Sequence, residues 1–125
     1  MPTPEQQAEF ERQLEIMITQ LKHFPSIVTW VIYNEGWGQL KDRFPEFEIT
    51  DRIRELDPSG RLVDAVSGWF DHGAGDFLDN HHYASPQCGT PWYSILSSPY
   101  NDVARNRIAL QGEFGGTGHI PPKEK

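Results

Sequence analysis

Ile27-Val28-Thr29-Trp30-Val31-Ile32-Tyr33-Asn34-Glu35-Gly36-Trp37-Gly38 is the stretch on which the reading of this 125-residue chain turns. Its first seven residues are all β-branched or aromatic, with no polar alternation. That is the pattern of a strand buried on both faces, as in parallel sheets covered by helices. Upstream, Thr3 and Gln6 have capping-box spacing, and Pro4 stands at the first helical position. Phe10, Leu14, Met17, Ile18 and Leu21 then share one helical stripe, which predicts a helix ending near His23 ahead of Phe24-Pro25. Downstream, Ile49, Ile53 and Leu56 mark a second helix, closed by Asp57-Pro58-Ser59-Gly60. Residues 61–67, 77–83 and 108–111 read as three further strands, with a weakly helical piece over 100–106. The order is α/β and predicts a parallel sheet or a piece of a barrel. The 68–76 gap is shorter than the dozen or more residues of an ordinary parallel crossover.

Composition narrows the possible functions. At 37% hydrophobic and 23% charged residues, the chain matches a globular domain and not a disordered or coiled-coil one. The net charge is −7 with no basic cluster, so nucleic acid is not expected as a partner. No apolar run approaches membrane-span length, and no membrane partner is expected. The single Cys88 excludes an internal disulfide and a paired-cysteine zinc site, and no triad partner accompanies it as a nucleophile. Residues 112–118 are glycine-rich but lack the Gly-Lys-Ser/Thr ending of a phosphate loop.

Two carboxylates follow predicted strands: Glu35 in Asn34-Glu35-Gly36 and Glu113 in Gly112-Glu113-Phe114. An acidic residue after a strand also suits a helix N-cap or a solvated loop. On strands running in one direction, however, the two would share a rim, and a carboxylate pair across a bond is the apparatus of glycoside hydrolysis. Asn34 offers an amide to a sugar hydroxyl. Asp79, His81 and Tyr83 alternate, so a strand would aim all three at one face, with His82 facing away as a structural residue. A metal cluster of His72, Asp79, His81 and His82 is disfavoured because adjacent strand histidines point oppositely. Trp37 and Trp69 follow strand ends and are candidates for stacking on sugar; mid-strand Trp30 suits core packing, and Trp92, in the Pro-rich segment, suits either, core packing being favoured.

These residues carry a resemblance. The stretch from Pro25 to Gly38 resembles the fourth-strand signature of glycoside hydrolase family 2, the β-galactosidase and β-glucuronidase family. Gln111-Gly112-Glu113-Phe114-Gly115-Gly116 resembles its seventh-strand signature, and Asp79-Asn80-His81-His82-Tyr83 its sixth-strand pattern. The resemblance implies Glu35 as general acid/base, Glu113 as nucleophile, Asn34 as a ligand of the sugar 2-hydroxyl, and Tyr83 as hydrogen-bond partner of the nucleophile. It implies His81, Trp37 and Trp69 at the substrate, a retaining mechanism on β-glycosides, and no cofactor or metal. The expected fold is part of a (β/α)8 barrel, about strands four to seven, with residues 1–125 forming one partial catalytic domain that lacks strand eight. A whole barrel takes roughly 200 or more residues, so the expectation is a fragment, inactive alone and self-associating through open sheet edges. The competing readings are a non-enzymic half-barrel for sugar binding or assembly, and another retaining glycosidase of the same clan, of β-mannosidase or endo-β-glycanase type.

Overall fold

Helix α1 (Pro4–Leu21) begins with both halves of its capping box made. The Gln6 backbone N–H donates to the Thr3 hydroxyl, and the Thr3 N–H donates to the Gln6 side-chain carbonyl. In the computed structural model, which describes residues 1–40, 42–83 and 106–114, this helix is followed by β1 (Thr29–Asn34), α2 (Glu46–Leu56) and β2 (Leu62–Ser67). Two more strands, β3 (Phe77–His82) and β4 (Ile108–Phe114), complete the described elements. None of the helices is long and apolar enough to cross a membrane. Readings placed on Cys88, Trp92, the weak helix over 100–105, the glycines beyond 114 and the His82 side chain lie outside the described residues.

The strands form two separate two-stranded parallel sheets, β1 with β2 and β3 with β4. The expectation of part of a (β/α)8 barrel is therefore overturned: among the described residues no barrel closes, and the four strands do not make one continuous ladder. The reason lies in the groups between β2 and β3. The Val63 N–H donates to the Asp76 carboxylate at 2.7 Å, and the Asp76 N–H donates to the Val63 carbonyl at 2.7 Å. One residue ahead of β3 thus occupies both backbone groups through which Val63 would pair with a strand. Further along, the Ser67 hydroxyl and the Asp79 carboxylate bridge the gap side chain to side chain. The two strands lie alongside one another, joined by polar side chains in place of a backbone ladder.

Apolar packing concentrates on the first sheet. Leu14 and Ile18 from α1 and Ile49 and Ile53 from α2 meet Trp30, Ile32, Tyr33, Val63, Ala65 and Val66 in one cluster. Phe10 stacks on Tyr33 with ring centroids 5.2 Å apart. In β2, every residue after Leu62 is buried, but β1 departs from the expectation of burial on both faces, because Val31 is 44% exposed between buried Trp30 and Ile32. Trp30 and Ile32 turn into the cluster while Val31 between them is open to solvent, and Tyr33 is buried again against Phe10 of α1. Trp30 is a core residue, as its mid-strand position predicts, and its indole N–H donates to Asp57 at 2.8 Å. Arg61 completes that corner, donating to Asp57 and to the carbonyls of Ile27 and Phe24. Burial alone would raise the Asp57 carboxyl, yet donors from Ser59, Trp30 and Arg61 hold it well below the usual carboxylate range.

Candidate functional site

Glu35 is the first residue past β1, and its backbone is left-handed at φ +50°. Its N–H continues the ladder by donating to the Ser67 carbonyl at 2.9 Å, while the Trp37 N–H donates to the Asn34 carbonyl and turns the chain away. A non-glycine residue held at positive φ costs of order 1–3 kcal/mol, and such strain concentrates where a side chain must be aimed. Here the aim is toward β3: the Glu35 carboxylate lies 2.9 Å from His81 Nδ1.

Glu113 reaches the same place through an irregularity in β4. Asn80 pairs with Gln111 but His81 pairs with Glu113, so Gly112 is an extra residue, a β-bulge. Without it, strand alternation would put Glu113 opposite His82 and on the other face. The bulge needs glycine, because a Cβ at position 112 would stand under 3 Å from the Asp79 carboxylate, which accepts the Gly112 N–H at 2.5 Å. Gly68 plays the matching part under the imidazole: a Cβ there would meet His81 Nδ1 at 2.8 Å.

One atom each of Glu35, His81 and Glu113 therefore lies within 4.8 Å of the others. His81 is 2% exposed, with Nδ1 also 3.7 Å from Glu113, whereas the two carboxylates are open to solvent at 22% and 42%. The Tyr83 hydroxyl donates to Glu113, and that hydrogen bond, with the neighbouring carboxylates, pushes the phenol up to about 12. Beneath His81, Ser67 Oγ stands 2.8 Å from Nε2 and 2.7 Å from Asp79. Deeper still, burial and the Asp79 carboxyl push the Asp64 carboxyl up to about 8.

The structure thus brings Glu35, Glu113, His81 and Tyr83 together. Asn34 is exposed at the end of β1. Trp37, 77% exposed, lines an open depression of about 600 Å³ that also contains Glu35 and Gln39, and Trp69 is 43% exposed on the loop after β2. His72 belongs elsewhere, bonded to the buried Glu46 and Gln39 and tilted against the Phe44 ring with centroids 3.9 Å apart. As a cation site, the Glu35–His81–Glu113 group offers three ligand atoms. That is one protein ligand short of a closed zinc site.

Sequence reasoning missed three contributors. Ser67 carries no motif. Asp64 did leave a signal, since a lone acid inside Leu62-Val63-Asp64-Ala65-Val66 must be buried with a partner. Arg107 forms a buried two-pronged ion pair with Asp71 at 2.6 and 2.9 Å and donates to the carbonyls of Ala74 and Phe77, tying the start of β4 to the loop before β3. Comparison with known proteins adds no family: no family model matches the chain, and no curated protein matches it.

Proposed function

We propose that this protein is a retaining O-glycoside hydrolase acting on β-glycosides, with Glu113 as nucleophile and Glu35 as general acid/base. The observation that carries the reading is the approach of the two carboxylates to within 4.8 Å. Retaining pairs stand about 5–5.5 Å apart, while an inverting pair needs about 6.5–9.5 Å to admit a water. Glu113 attacks the anomeric carbon while Glu35 gives its proton to the departing glycosidic oxygen. The resulting ester on Glu113 is then opened by a water whose proton Glu35 accepts, so the configuration is retained.

The surroundings suit these roles. Tyr83 donates to Glu113 and fixes the direction of its carboxylate. Exposed Asn34 offers an amide that can bond a sugar hydroxyl, and the exposed indoles of Trp37 and Trp69 offer flat faces to the C–H side of a pyranose. The resemblance of the three motifs to glycoside hydrolase family 2 points the same way.

The test is covalent trapping, which needs one turnover only. Incubation with 2,4-dinitrophenyl 2-deoxy-2-fluoro-β-glycosides of glucose, galactose and mannose, followed by peptide mass spectrometry, is expected to place one glycosyl group on Glu113 and none on Glu113→Gln. Reversible sugar binding with no adduct would overturn the enzymic reading in favour of a binding module. An adduct on Glu35 would exchange the two roles.

A further inference from the structure

A single file of hydrogen-bonding groups runs from the core to the proposed acid: Asp64, Asp79, Ser67, His81, Glu35. Its first four members are each less than a tenth exposed. Ser67 Oγ stands between Asp79 Oδ2 at 2.7 Å and His81 Nε2 at 2.8 Å, and a hydroxyl has one proton, so it donates to only one of them. Which one it chooses is decided at the buried end.

Asp79 collects donors: its Oδ1 accepts the Gly112 N–H, and its Oδ2 faces the serine hydroxyl. Asp64, hydrogen-bonded to Asp79, takes the Val66 N–H as a donor, but its Oδ1 is buried and receives none. A buried negative charge resides where donors converge, and an oxygen without donors suits a protonated carboxyl. The charge of the pair therefore sits on Asp79 and the proton on Asp64. Ser67 then gives its proton to Asp79 and turns its lone pairs to His81, whose Nε2 must carry the hydrogen. In a neutral ring Nδ1 is then bare, 2.9 Å from Glu35.

We propose that the buried Asp64–Asp79 pair, acting through Ser67, fixes His81 as its Nε2–H tautomer, so that Nδ1 accepts the hydrogen bond of the Glu35 carboxylic acid. The use of that proton in bond cleavage rests on the glycosidase reading; the tautomer does not. His81 is a positioning residue in this scheme. It holds the Glu35 O–H before the proton passes to the glycosidic oxygen. Afterwards it presents a lone pair to the bare carboxylate, an arrangement relieved when Glu35 takes a proton from water. The competing state is an imidazolium, which Glu35, Glu113 at 3.7 Å and Asp79 at 3.9 Å would favour if all three were ionised.

The test is 15N NMR of the histidine-labelled chain near neutral pH, with the His81 ring identified by its loss in His81→Gln. The expected spectrum has a protonated Nε2 and a bare Nδ1. In Asp79→Asn the new amide donates to Ser67, the serine proton swings to Nε2, and the ring is expected to change to its Nδ1–H form. In Asp64→Asn the amide still donates to Asp79, and the ring is expected to stay as it was. A wild-type ring that is cationic or Nδ1–H overturns the proposal, and so does an unchanged ring in Asp79→Asn or a flipped one in Asp64→Asn. Should Asp79→Asn fail to fold, the wild-type spectrum decides alone. The expected tautomer with no trapping on Glu113 would strike the glycosidase reading and leave this one standing.

Discussion

The β1–β2 pair and the β3–β4 pair share one parallel ladder geometry and have opposite surroundings. Two helices cover the first pair, and its interior is a continuous apolar cluster. In the second pair, Leu78 is buried while Ile108, Leu110 and Phe114 are all exposed, and charged and polar groups hold it in place. The Arg107–Asp71 pair and the Asp76, Ser67 and Asp79 bridges do what Ile18 and Ile53 do for the first. The proposed site draws one carboxylate from each. Its geometry is thus only as firm as the polar seam between two differently packed regions, of which the second is expected to open more readily.

The largest expected effect is on chemistry and leaves that contrast untouched. In a complete enzyme carrying this site, Glu35→Gln is expected to slow glycosides with alkyl leaving groups by on the order of 10²-fold or more. Dinitrophenyl glycosides, whose leaving group needs no proton, are expected to lose far less, with the thermal midpoint unmoved. Equal slowing of both substrates would remove Glu35 from the acid role.

Arg107→Ala breaks a buried ion pair and is expected to cost about 3–5 kcal/mol. Hydrogen exchange should then quicken in β3 and β4 while α1 and β1 stay protected. Ile18→Ala, about 2–5 kcal/mol from a fully buried position, should instead loosen every element together. Uniform loosening in Arg107→Ala would show that the two regions open as one unit.

Acid and base should also act on opposite sides of the comparison. Asp57, whose folded carboxyl is held below its ordinary 3.8, contributes stability present above about pH 4 and lost as the pH falls. The loss is on the order of 2 kcal/mol. Asp64 is raised in the fold, so its contribution is full below about pH 4 and drains away as the pH climbs toward 8. Denaturation across pH 2–9 should lose its acid-side slope in Asp57→Asn and its alkaline-side slope in Asp64→Asn. Slopes that survive both variants would place the coupling elsewhere.

The smallest expected effect concerns the open flank. Leu110→Lys, at an exposed strand position, is expected to change stability by less than about 0.5 kcal/mol while reducing self-association in sedimentation. An unchanged association state would direct attention away from β4.

Local chemistry was legible in the sequence, and the meeting of elements was not. Thr3, Pro4 and Gln6 announce α1 because a capping box is complete within four residues. The alternation of Asp79, His81 and Tyr83 placed them on one side because a strand has period two. The split into two sheets was not readable, since it depends on the Asp76 carboxylate reaching a backbone group thirteen residues earlier. Nor was the extent of burial of β1, whose apolar run looks the same whether one face or both are covered. Glu113 and Glu35 were expected on one rim because both follow strands running in one direction, but the bulge that turns Glu113 toward His81 is displayed by no pattern of side chains.

Gly112 makes the parity of β4 part of the design. An insertion or deletion of two residues between Ile108 and Glu113 would slide the strand yet keep every side chain on its own face. A change of one residue would exchange the faces and carry Glu113 to the far side from His81. The site therefore tolerates length variation in β4 in even steps and is lost in odd ones, so related chains that keep both carboxylates should differ in this segment by zero or two residues.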